Sequence, residues 1–83
     1  MSEKTVNRPI AIPFGNLRKA CAKHGLNARL YIFDGGETVE ITDSEGKQIV
    51  RSTAEHGDAG TASEQAALYL MNAGRITMFD FEG

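Results

Sequence analysis

Cys21 is the one cysteine in the 83 residues, so the chain has neither an internal disulfide nor a second thiol for a zinc cluster or a C-x-x-C redox pair. Stability must therefore come from packing. No apolar run reaches the ~18–20 residues needed to cross a bilayer, and the opening Met1-Ser2-Glu3-Lys4-Thr5 lacks the apolar segment of a secretory signal. The expectation is a soluble, cytoplasmic protein without a membrane partner. With only two prolines and no low-complexity or repeated segment, nothing marks an interdomain linker. One domain is expected over residues 9–83, behind a flexible terminus at 1–8. A chain of this size buries roughly 60–65% of its unfolded surface, so each apolar run must serve one core.

A strong basic excess is also missing. The net charge of −2 gives no general pull toward nucleic acid or an acidic membrane. The charges are unevenly placed, however. Residues 1–33 carry Lys4, Arg8, Arg18, Lys19, Lys23 and Arg29 against Glu3, whereas 34–83 carry ten acids against Lys47, Arg51 and Arg75. The result is a basic helix and an acidic hairpin.

The 41% hydrophobic content suits a folded chain. Ile10-Ala11-Ile12 alternates before Pro13 and predicts a short edge strand. Phe14, Leu17, Cys21 and His24 recur at helical spacing, and Gly25 is placed to end the helix in a left-handed conformation, which predicts a helix over about 14–24. Strands follow at 29–33, 38–42 and 48–53. They are separated by Asp34-Gly35-Gly36, which can supply positive φ angles, and by Asp43-Ser44-Glu45-Gly46. Thr61-Ala62-Ser63-Glu64 matches the S/T-x-x-E capping box and opens a second helix with Ala66, Ala67, Leu70 and Met71 on its apolar face. Residues 75–81 alternate as a last strand.

The order is thus β-α-β-β-β-α-β. The fold class is α+β: an antiparallel sheet with two helices packed on one face. Leu17, Leu30, Ile32, Val39, Ile41, Ile49 and Leu70 are the expected core. Tyr31, Phe33, Phe79 and Phe81 cannot all face it, which leaves candidates for an exposed apolar patch.

No catalytic constellation emerges. Cys21 and His24 share a helix face but lack the further ligands a metal needs, and read as a buried thiol beside a helix-end histidine. Glu55, His56 and Asp58 are the polar residues of a loop, and neither Ser52 nor Ser63 lies on a nucleophile elbow. The expectation is a non-enzyme with no cofactor and no metal.

The acidic residues Asp34, Glu37, Glu40, Asp43 and Glu45 form an acidic hairpin, a candidate docking edge for a protein partner with a basic surface. The alternative is nucleic-acid binding through Arg18, Lys19 and Lys23 of the basic helix 14–24.

Over about residues 14–73, Leu17, His24-Gly25, Gly60, Ser63 and Ala66-Ala67 give the chain an order that resembles a double-stranded-RNA-binding domain. The resemblance implies a helix, three strands and a helix. Where such domains place lysines at the start of the last helix this chain has Ser63-Glu64-Gln65, and Asp34-Gly35-Gly36-Glu37 replaces their histidine-bearing loop, so no RNA-binding residue carries over. The resulting expectation is a small protein-binding regulator or inhibitor. In size and style it is analogous to proteins that phages and mobile elements direct against host machinery, such as anti-CRISPR proteins. A homodimer is compatible with it.

Overall fold

The computed structural model describes residues 12–58 and 60–81. The residues read as a flexible terminus, and the first two of the expected strand Ile10-Ala11-Ile12, lie outside that range. The described chain runs α1 (Phe14–Ala22), β1 (Asn27–Phe33), β2 (Gly36–Thr42), β3 (Gln48–Glu55), α2 (Ala62–Asn72) and a 3-10 turn at Met78–Phe81. The strands form one antiparallel sheet in the order β1-β2-β3. Both helices pack on the same face, the α+β architecture expected.

Glycine ends each helix in the same way. Leu26 N–H reaches Cys21 C=O at 2.9 Å and Gly25 N–H reaches Ala22 C=O at 3.2 Å, with Gly25 at φ 74°. Arg75 and Gly74 repeat these bonds to Leu70 and Met71, again with φ 74° at Gly74. This paired closure satisfies carbonyls that the helix itself leaves open, and only glycine enters the left-handed region without steric cost. At the other end of α2, Thr61 Oγ1 accepts the Glu64 N–H at 3.1 Å and Glu64 Oε1 accepts the Thr61 N–H at 3.2 Å. This is the capping box read from the sequence.

Cross-strand register sorts the side chains. Leu30, Val39 and Ser52 pair across the sheet, as do Ala28, Ile41 and Val50, and these rows face the helices. Val39, Ile41, Leu17 and Leu70 are fully buried, while Leu30 and Ile49 pack at the margin. A bulge opposite Ile41 and Thr42 lets both Ile49 and Val50 reach the core.

Ile32 departs from the expected core. It has the correct parity but remains 77% exposed, because it sits at the turn end of β1 where neither helix covers it. Leu26 and Ile76 join the core instead.

The expected last strand is also absent, so the described sheet has three strands. Thr77-x-x-Asp80 folds on itself: Asp80 Oδ2 accepts the Thr77 N–H at 2.8 Å, and Asp80 N–H reaches Thr77 C=O at 3.0 Å. The local hydroxyl-to-acid spacing that starts α2 recurs here and overrides the alternating pattern.

Candidate functional site

Among the described residues, β1 and β3 each have one margin that no other strand pairs, and the two margins differ. His56 N–H donates to Gly35 C=O at 2.8 Å, which directs the backbone groups of Gly35, Glu37, Val39 and Ile41 toward β3. The alternate residues of β2 therefore bond Phe33, Tyr31, Arg29 and Asn27, and the N–H and C=O groups of Ala28, Leu30 and Ile32 face the open side of β1. On β3 the outward residues are Arg51, Thr53 and Glu55. The Glu55 N–H is already taken by Asp58 Oδ2 at 2.7 Å, and the bulge bends the strand's opposite end. One margin is blunted, and the other runs without a register shift.

Beside the open margin lies a groove of about 680 Å³ between α1 and β1. Phe14, Arg18 and Ala22 form its helix side, and Arg29, Leu30 and Tyr31 its strand side. Because the strand contributes residues from both sheet faces, the groove follows the edge itself. Among the described residues two arginines line it and no acid does. Tyr31 and Phe33, 44% and 43% exposed, continue an apolar surface toward the turn beside Ile32.

At that turn only Gly35 of Asp34-Gly35-Gly36 has a positive φ, 110°. Gly36 is required for a different reason. A β-carbon there would collide with the Ala54 carbonyl and come within 3.0 Å of the Phe33 ring, which lies over the glycine from the opposite strand.

The five acids of the hairpin do not make one surface. Glu37 is half-buried, and its Oε2 accepts the Ala62 N–H at 3.2 Å, capping α2. Asp43 Oδ1 accepts the N–H groups of Glu45 and Lys47, each at 2.9 Å, and so shapes the β2–β3 turn. Those backbone bonds, that of Lys47 foremost, hold its carboxyl below the usual range. Glu40 lies between Arg29 and Arg51 in register and accepts from the Tyr31 hydroxyl at 3.3 Å. Asp34 and Glu45 are exposed at opposite ends of β2, ~20 Å apart at strand rise.

The cations of α1 divide similarly. Arg18 lines the groove, Lys19 is exposed, and Lys23 Nζ donates to Asp80 C=O at 2.8 Å. His24 Nε2 joins it, 2.8 Å from Asp80 Oδ2. The two residues clasp the C-terminal turn onto α1. The Asp80 carboxyl is held below its usual range, first by the Thr77 N–H and then by His24. Cys21 lies beneath the clasp, fully buried, and burial reinforced by Asp80 raises its thiol to about 11. A thiol held protonated this way is a poor nucleophile and metal ligand.

Among the described residues no group of three or more His, Cys, Asp or Glu is arranged to hold a metal, and no helix is long and apolar enough to cross a membrane. Ser63 is buried at the start of α2. Comparison with protein-family models, with curated proteins and with solved structures finds no match. Among the described residues the β1 margin, with its groove, is the candidate binding surface. Sequence reasoning missed it because a strand's place in the sheet is a property of the fold; of its residues only Tyr31 and Phe33, with Phe79 and Phe81, stand out as more than one core can cover, and Ile32 is expected in the core.

Proposed function

We propose that this protein is a non-enzymatic binding module that engages a protein partner through the open margin of β1 and acts by occupancy. The observation that supports this most is the contrast between the sheet's two margins. Asp58 takes the Glu55 N–H and a bulge interrupts β3, whereas β1, unpaired on that side among the described strands, presents outward backbone groups at Ala28, Leu30 and Ile32 beside an exposed Tyr31-Ile32-Phe33 run. An exposed, straight, apolar edge recruits another strand unless something prevents it. The acidic hairpin contributes less to this reading than the sequence suggested, since Glu37 and Asp43 serve the chain's own backbone.

Nucleic-acid binding is less favoured. In α1, Lys23 is engaged by Asp80, and at the start of α2 two carboxylates occupy N–H groups that a phosphate would need.

Site-directed photocrosslinking in the native cell tests the proposal, with a photoreactive residue at Ile32 and, as control, at the exposed Leu68 of α2. A discrete protein adduct from position 32 and none from 68 is expected. Adducts from 68 alone, or from neither, would refute docking through β1.

A further inference from the structure

Resting on that reading, we infer that the groove beside β1 takes an acidic, extended segment of the partner protein, added as a fourth strand. Backbone geometry comes first. The outward groups of Ala28, Leu30 and Ile32 repeat every second residue, a spacing that only another β-strand matches along its length. A nucleic-acid backbone does not reproduce that ladder, which decides between two polyanionic occupants.

The side chains then fix the partner's pattern. On the helix side an added strand meets Phe14, Ala22 and Leu30, so its residues there must be apolar. On the opposite face its neighbour is Arg29, with Tyr31 beside it, and a carboxylate there can take charge-assisted hydrogen bonds from the guanidinium. Arg18 stands on the helix side between Phe14 and Ala22 and adds its positive charge to the same edge. Arg29 also has Glu40 as its register partner, whereas among the described residues no acid lines the groove on the Arg18 side. A second copy of this chain fits less well, because its own Arg18 and Arg29 would enter a groove that already holds two arginines. The segment favoured is therefore one in which apolar residues alternate with Asp or Glu.

The test titrates the full-length, ¹⁵N-labelled protein with a capped peptide of alternating valine and glutamate. Its valine–lysine counterpart, the acidic peptide with a central proline, and a short oligothymidylate serve as comparisons. Saturable shifts centred on the Ala28, Leu30 and Ile32 amides are expected. Binding should be at least ~10-fold weaker for the lysine and proline peptides, and at least ~10-fold weaker for Arg18→Gln combined with Arg29→Gln.

Ile32→Pro removes one outward N–H without touching the β1–β2 ladder and should abolish binding, while Ile32→Thr, which keeps the N–H, should retain it. If Ile32→Pro does not fold, the arginine pair carries the test. Equal binding of acidic and basic peptides, preference for the oligothymidylate, or protection of the same amides by self-association would each overturn the inference. No peptide binding together with a positive crosslink at Ile32 would refute the acidic strand and leave docking through β1 standing.

Discussion

The carboxylate of Glu37, in the second strand, caps Ala62, the first residue of the second helix, with Oε2 3.2 Å from its N–H. The bond spans 25 positions of the chain and fixes the sheet to the helix N-terminus, where a negative charge is favoured by the helix dipole. Glu37→Ala should lower stability by about 1 kcal/mol, and Thr61→Ala at the adjoining cap by a similar amount. Urea unfolding of each variant checks this. Because these groups close the site against phosphate, gel-shift titration at low salt should show no binding of duplex RNA or duplex DNA. A shift that depends on Arg18, Lys19 and Lys23 would refute that expectation.

Two glycines should respond oppositely to the same change. Gly36→Ala forces a β-carbon against the Ala54 carbonyl and the Phe33 ring, and should cost about 1–3 kcal/mol. Gly15→Ala, on α1 with nothing within 4 Å of the new atom, should stabilise by about 0.5–1 kcal/mol. Thermal melts of the two variants, moving in opposite directions, are the expected result.

Much of this arrangement is legible in the sequence, and the failures have physical causes. The α1 and α2 limits follow from helical spacing and two terminal glycines, and the capping box from Thr61 and Glu64, because these are short-range effects. Thr77 and Asp80 carry a related local signal at the spacing of the capping box, but the alternation of Ile76, Met78 and the phenylalanines suggests a strand there. Ile32 has the right parity for burial, yet parity does not say how far a helix extends over a strand. The roles of Glu37 and Asp43 depend on which N–H groups come within reach once the chain folds, so charge alone placed them with Asp34 and Glu45.

Cys21 makes stability fall at alkaline pH. Its thiol is raised from 9.0 to about 11, so between these values the unfolded chain has lost a proton that the folded chain retains. The contribution is fully present below pH ~9 and is lost as pH rises toward ~11, on the order of 2–3 kcal/mol in all. Subtracting the pH profile of Cys21→Ala from that of the parent protein should reveal this fall. At neutral pH the native thiol should resist iodoacetamide and react once urea unfolds the chain.

Asp80 acts at the other end of the pH scale. Its folded carboxyl titrates below the ordinary value of 3.8, so the clasp's contribution is present above that value and is lost as pH falls through the lowered one. Asp80→Asn should flatten stability across that acid window. It should also speed exchange of the Thr77 amide, which donates to the carboxylate. An unchanged acid profile in the variant would place the stabilisation elsewhere.

The recognition role rests on an open first strand, and amide hydrogen exchange on the isolated full-length chain measures that openness residue by residue. Arg29, Tyr31 and Phe33 face β2 and should exchange slowly, while Ala28, Leu30 and Ile32 should exchange at rates approaching those of unprotected amides. Strong protection of all six, undiminished on dilution, would mean that the margin is already closed, and would contradict docking through it.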